Sequence, residues 1–489
     1  MSQYYTATDH FVLLPAILLA LFGCATLLFD FLIFPEAKQR RWLLLFLVLG
    51  EAFAGVAFWR QQSFLLEHGG NLTAFRGALV IDHYALFFHW LFLAATLITG
   101  LVSYRYLEVR DEHHGEYYGL LMLAQTGMYF LASGTELVTL FVGLETMAIT
   151  FYILVGFLRA DRKSNEAALK YLILGSLSSG FLVYGFSVLY GISGSTRLAE
   201  IAAAVAARDA WDPVLVLAVG TAGAGLLFKI SAAPFHMWAP DAYEGAPTMI
   251  TGFLATASKA ASFALLLRLF VGPLGPARES WEPLLAAAAV LSMTVGNLAA
   301  VTQTNTKRLL AYSSVSHAGY ILLGLIAGSP TGIQGVLVYL LVYTFMTLGA
   351  FLVLTSLARK GIAGDDIHDL RGLMKRAPGH ALWMLVFMVS LAGIPPTAGF
   401  VGKFYIFWAL IETGHYTLAV IGALYVVVAI YYYFRIVKAV FVEPEEAEAG
   451  PLTVSLGTRV GLAATGVLTL LVGVYPEPVL KLAQMSISR

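Results

Sequence analysis

Long apolar blocks joined by short polar connectors fill this chain almost end to end. A helix needs roughly 20 apolar residues to cross a bilayer core of about 30 Å. Blocks of that size recur at 11–34, 42–59, 83–104, 117–133, 136–158, 166–191, 213–235, 248–271, 283–303, 308–327, 331–358, 381–410, 416–440 and 457–475. The pattern predicts an all-α integral membrane protein with about fourteen transmembrane helices. Strand-sized segments of alternating polarity are absent, which argues against a transmembrane β-barrel. The first block follows Asp9 and His10 rather than a basic stretch, so it is expected to stay as a helix and not to be cleaved as a signal.

Two blocks are interrupted. The seventh carries Lys229, then Pro234 and FHMWAPDAYEGAPT; the twelfth carries Gly393, Pro395, Pro396 and Gly399 ahead of Lys403. Proline removes a backbone donor and clashes with the preceding turn, so Pro234, Pro395 and Pro396 are the expected hinges. Carbonyls freed at membrane depth need water or protein partners, which makes such breaks markers of polar cavities. The two broken blocks lie five places apart, matching a five-helix unit, spans 4–8, repeated as spans 9–13. An odd number of helices inverts the second copy, and paired breaks in inverted repeats mark ion paths in transporters. Ordinary proline kinks are the plainer alternative, and a lysine beside each break weighs against it. The expected organisation is therefore helices 1–3 in residues 1–110, the first inverted repeat in 111–271, the second in 272–442, and a loop with helix 14 in 443–489.

Composition sharpens this. Of 489 residues, 59% are hydrophobic and 12% charged, against a charged share of roughly 25% in soluble domains. The net charge is zero, which gives no reason to expect a nucleic-acid partner. The single cysteine, Cys24, excludes an internal disulfide and argues against thiolate-bound zinc or an iron–sulfur cluster. No phosphate-binding loop is present, and GTAGAG at Gly220 to Gly225 lacks the dinucleotide-binding spacing. With connectors assigned alternately to two sides, one side holds 18 Lys and Arg residues and the other 8. Basic connectors collect in the cytoplasm, so a multi-pass protein of the inner (plasma) membrane is expected, with both termini on the non-cytoplasmic side. The acidic stretch with Glu443, Glu445, Glu446 and Glu448 reads as a solvated loop.

Four basic residues remain, each inside a block: Lys170 (AALKYLILG), Lys229 (GLLFKISAAP), Lys259 (ATASKAASF) and Lys403 (GFVGKFYIF). Glu145, in LFVGLETMAITF, adds an acid at similar depth. A lysine at the centre of a membrane helix costs at least about 2.5 to 3.5 kcal/mol unless it faces protein or water. Snorkelling or structural ion pairing accounts for one such residue readily; five ionisable groups on five blocks point instead to proton traffic. Lysine suits that task, because its proton is held or released according to burial and neighbouring charge, whereas arginine stays protonated. His236, after Pro234, and His317, in AYSSVSHAGY, are secondary candidates, since imidazole titrates near neutrality. Tyr431, Tyr432 and Tyr433 read as interfacial or packing aromatics.

The stretches LFVGLETMAITFYILVGF, SNEAALKYLILGSLSSGFLVYG, FKISAAPFHMWAPDAYEGAPT, NTKRLLAYSSVSHAGY and GIPPTAGFVGKFYIF resemble the antiporter-like membrane subunits of respiratory NADH:quinone oxidoreductase (complex I). The resemblance covers nearly the whole chain and is closest to the subunit N (chain 2) branch. Lys403 stands where subunit M carries glutamate, and a chain ending at Arg489 is expected to be too short for the lateral helix of subunit L. The resemblance implies that Glu145 pairs with Lys229, that Lys259 passes protons toward Lys403, and that Lys170 tunes the pair. It implies no cofactor bound by this chain, with NADH, FMN, iron–sulfur clusters and quinone in partner subunits, and it implies subunits M, J and K as neighbours. A multisubunit cation/proton antiporter, an energy-converting hydrogenase, and a structural subunit with inert buried charges stay open as alternatives.

Overall fold

The computed structural model describes residues 5–32, 41–110, 112, 114–358, 364–444 and 454–487. The chain begins with α1 (Ala7–Leu32), α2 (Arg41–His68), α3 (His83–Arg110), α4 (Gly115–Ser133), α5 (Leu137–Val155) and α6 (Arg162–Ser193). It continues with α7 (Leu198–Ala206), α8 (Pro213–Lys229), α9 (Trp238–Gly245), α10 (Thr248–Phe253), α11 (Lys259–Val271), α12 (Arg278–Thr302), α13 (Thr306–Ala327) and α14 (Pro330–Leu357). The last elements are α15 (Leu373–Arg376), α16 (Pro378–Ala392), α17 (Ala398–Glu412), α18 (Tyr416–Phe441), α19 (Leu456–Val474) and α20 (Glu477–Met485). Helix occupies all fourteen predicted blocks. Eleven helices among the described residues are long and apolar enough to cross a membrane. The π turn Leu254–Ser258 joins α10 and α11 into one of them, Thr248–Val271.

Three features depart from the sequence pattern. The seventh block was expected to run to residue 235, but helix stops at Lys229 and resumes at Trp238, with Ser231 in the left-handed region at φ 59°. The twelfth block, 381–410, is two helices separated at Gly393, whose φ of 83° suits glycine. Both breaks therefore begin upstream of Pro234, Pro395 and Pro396. The third is a short antiparallel ribbon, β1 (Leu72–Ala74) and β2 (Leu79–Ile81), with Leu72 opposite Ile81. Three residues per strand are too few to leave a period-two signal.

Packing repeats along the chain. Helix α4 lies on α5 so closely that a Cβ on Gly127 would meet Met147 N at 2.5 Å; α12 lies on α13 so closely that one on Gly296 would meet Ser316 N at 2.6 Å. In the same way α6 packs on α8 and α9, and α14 on α16 and α17. Each glycine lets two backbones touch, which is how helices gain contact where lipid removes the hydrophobic drive.

The connectors gather at two ends, as alternate crossing requires. At one end Lys163 pairs with Glu244, Arg308 with Asp241 and Glu244, Lys307 with Asp365, and Arg371 with Glu443. The Arg371 hydrogen bond holds the Glu443 carboxyl below the usual carboxylate range. At the other end Asp82 meets Arg268, His415 meets Glu282, and the Glu136 and Arg197 backbones pair as a single antiparallel bridge. The first set consists of connectors predicted for the basic side and the second of those predicted opposite. Lys38, Arg40, Arg359, Lys360, Glu445, Glu446, Glu448 and Arg489 lie outside the described residues.

Candidate proton-transfer site

The buried charges sit where regular helix fails. Lys229 is the last residue of α8, 6% exposed, with its Nζ 3.9 Å from Glu145 Oε1. Ser179 of α6 stands between them, donating to Glu145 Oε1 at 2.5 Å and accepting from Lys229 Nζ at 3.2 Å. Glu145 itself is about a quarter exposed, on the edge of an outward apolar stripe of α5 formed by Val138, Val142, Ile149 and Ile153. The acid thus has one side toward the lysine and one toward whatever covers α5.

Lys259 follows the π turn directly, and such turns are frequent at functional positions because they rotate the next residue out of register. It is 2% exposed and donates to the carbonyl of Ser314 at 2.6 Å and to its hydroxyl. The Tyr243 hydroxyl reaches the same Ser314 Oγ at 3.3 Å. One turn along α13, His317 holds Tyr339 through Nδ1 at 2.6 Å and Tyr433 through Nε2 at 2.9 Å, and Tyr433 also meets Ser313 Oγ at 2.5 Å. The His317 ring centroid lies 6.3 Å from that of Tyr320.

Lys403 reaches back across the second break. It is carried by α17, yet its Nζ donates to the carbonyls of Leu391 and Ala392 at 3.0 Å each, closing the open end of α16. Those carbonyls lack helical partners and carry the negative end of the helix dipole. Gly393 makes room: a Cβ there would lie 2.8 Å from Lys403 Cδ. Ser390 Oγ meanwhile accepts from the Gly399 N–H at the start of α17. The Lys403 ammonium also lies 5.0 Å from the Tyr320 ring centroid.

Lys229, Lys259, His317 and Lys403 therefore stand in the protein interior, with Glu145 at its edge; hydroxyl groups contact all of them but Lys403, which holds two carbonyls. Lys170 does not join them. Its side chain is 45% exposed and pairs with Glu166 at 2.8 Å and Asp241 at 3.0 Å, in a surface cavity of about 210 Å³ shared with Lys163, Glu244 and Arg308. His236 is half-buried in the turn between α8 and α9, flanked by the exposed Phe235 and Met237. The three tyrosines of α18, alike in sequence, differ in their surroundings. Tyr431 is exposed, Tyr432 is buried on Asn297, and Tyr433 touches His317. Among the described residues no three His, Cys, Asp or Glu side chains converge as a metal site.

Comparison with known proteins places the whole file within one family. The family described as "NADH:quinone oxidoreductase/Mrp antiporter, TM" matches residues 134–429, which include every member from Glu145 to Lys403. NADH-quinone oxidoreductase subunit N 2 of Solibacter usitatus is 61% identical over 489 residues, covering 100% of this chain and 99% of that protein. The chain belongs to the NADH-quinone oxidoreductase subunit N family. Among solved structures, the chain is similar to a chain of respiratory complex I from Thermus thermophilus, at 35% identity and a TM-score of 0.80, covering 96% of this chain and 99% of that one. A chain of the Mrp complex from Dietzia sp. DQ12-45-1b is 20% identical with a TM-score of 0.83, covering 97% of each, and shares the fold. The chain is thus a multi-pass membrane component of an oxidoreductase complex, built on a helical plan that an antiporter complex also uses.

Proposed function

We propose that this chain translocates protons across the membrane while electrons pass from NADH to quinone in other subunits of the complex. The observation that carries this is the succession of buried lysines and a histidine, on hydroxyls at Lys229, Lys259 and His317 and on freed helix-end carbonyls at Lys403, leading from the Glu145 and Lys229 pair to Lys403. Movement of Glu145 away from Lys229 removes the countercharge of the ammonium, and its proton then passes by way of Lys259 and His317 to Lys403. NADH, FMN, iron–sulfur clusters and quinone act in partner subunits. The adjoining antiporter-like subunit M and the small subunits J and K are the proposed neighbours, and the exposed stripe of α5 gives one of them direct access to Glu145. The glycine-mediated pairs support two inverted repeats, 111–271 and 272–442. Both termini are assigned to the non-cytoplasmic side on the basis of connector charge.

Membrane vesicles holding the assembled enzyme test this. Lys259→Met is expected to lower NADH-driven proton uptake per NADH while electron transfer to an artificial acceptor persists; an unchanged ratio overturns the reading. Lys170→Met in the same assay should leave the ratio at its wild-type value, because exposed ion pairs contribute only about 0–1 kcal/mol. Sodium-dependent transport without NADH oxidation would transfer the chain to the antiporter reading.

A further inference from the structure

The first four helices hold ionisable groups that the path from Glu145 to Lys403 leaves unused. Glu51 of α2 is 1% exposed, and its Oε2 accepts from the Gln125 side-chain amide of α4 at 3.0 Å. Its Oε1 has no hydrogen-bond partner and the carboxyl has no ion pair among the described residues. Gln125 starts a polar row on one face of α4, continued at i+4 and i+8 by Tyr129 and Ser133 over about 12 Å of helix. His89 of α3, 1% exposed, closes that row: its Nε2 lies 2.9 Å from Ser133 Oγ, and its ring stacks on Phe58 and Tyr129. Its Nδ1 is buried without a partner among the described residues. Beside Ser133, the Ala132 carbonyl accepts from Arg268 Nε, and Arg268 with Asp82 lines a surface cavity of about 550 Å³.

Part of this polar set has a structural task. Pro15 has no N–H to offer the Phe11 carbonyl, and Gln61 supplies the missing donor at 2.9 Å while the Tyr129 hydroxyl meets Val12 O. Glu51, Gln125 and His89 repair no such break. A lone carboxyl with one amide beside it also offers too few oxygens for a metal ion.

We propose that Glu51 is a second proton-binding site, separate from the central file, which exchanges with water at the Asp82 and Arg268 end by way of His89. In one exchange the O–H bond at Glu51 Oε1 breaks and the proton passes over a file of several water molecules along the Gln125 and Tyr129 face of α4 to His89 Nδ1. A proton then leaves Nε2 for Ser133 Oγ, whose own O–H proton passes to water at the Asp82 and Arg268 end, so the imidazole returns to a neutral tautomer and the hydroxyl is restored. The free Oε1 and Nδ1 atoms are the two ends of that file.

Infrared spectroscopy of the complete purified enzyme in H₂O and D₂O tests this. The wild type should show a protonated-carboxyl band that shifts on deuteration and is absent from Glu51→Gln. In His89→Phe the band should persist while its deuteration slows by about a hundredfold, the low end of what a positioned proton carrier supplies. Gln125→Leu, which deletes the amide donor but keeps the acid, should move the band to higher frequency and serves where Glu51→Gln does not assemble. A wild type with no band lost in Glu51→Gln or moved in Gln125→Leu, or undiminished exchange in His89→Phe, overturns the proposal. None of these readings depends on pumping through the central file.

Discussion

Vesicles carrying Glu145→Gln or Lys229→Met should oxidise NADH yet take up fewer protons per NADH than the wild type, with the complex still assembled. The expectation rests on the size of the interaction. Opposite charges 3.9 Å apart attract by about 4 kcal/mol at an effective dielectric near 20. Glu145 is partly open, which screens some of this; if only a third survives, about 1.4 kcal/mol still changes proton occupancy tenfold. Carrying one charge against 100 mV requires about 2.3 kcal/mol, so the pair is of the right magnitude to act as a gate. Glutamine keeps the shape and the acceptor for Ser179 but cannot change charge, so loss of pumping would arise from charge rather than packing. Methionine fills the Lys229 site with little volume change and leaves Glu145 its Ser179 partner. Ser179→Ala divides the pair's two links: it removes the bridging hydroxyl while leaving both charges, and should give an intermediate phenotype. Full pumping in both charge variants, measured as proton uptake against NADH consumed, would remove Glu145 and Lys229 from the mechanism.

How far the chain could be read depended on what lipid does to sequence patterns. Helices were visible because apolar runs must match bilayer thickness. The breaks at Lys229 and near Lys403 were visible because glycine and proline cluster there. The Glu145, Lys229, Lys259 and Lys403 assignments followed from the cost of a charge at depth. The same argument misplaced Lys170. In water, an exposed lysine is marked by polar neighbours; here its exposed neighbours are Leu169, Leu172 and Ile173, because an apolar surround makes outward and inward faces look alike. Glu166, one turn before Lys170, was the available sign of a local surface pair. The role of Tyr433 was hidden for a related reason. In three consecutive tyrosines only the packing of α18 decides which one turns inward, and the π turn that aims Lys259 leaves no compositional trace at all. The breaks were located through their prolines, yet the backbone leaves helix earlier, at Ile230 and Gly393, where glycine and a left-handed serine do the turning.

Lys403 should separate two tasks when it is replaced in two ways. As the residue that closes α16, it satisfies the carbonyls of Leu391 and Ala392; as the last base of the file, it must take up and release a proton. Lys403→Met should fail at both. It leaves two buried helix-end carbonyls without their donor, at a cost of about 1–3 kcal/mol each, so the enzyme should lose thermal stability and assemble in lower yield as well as pump poorly. Lys403→Arg should fail at one only. A guanidinium can still donate to both carbonyls, so assembly and melting temperature should fall less than in the methionine variant. Arginine keeps its proton at any physiological pH, so uptake per NADH should fall as far as in the methionine variant. Native gel yield, melting temperature and proton uptake, measured on the same preparations, read the two tasks apart. If the arginine enzyme pumped like the wild type, Lys403 would be a cap for a broken helix and not a proton carrier.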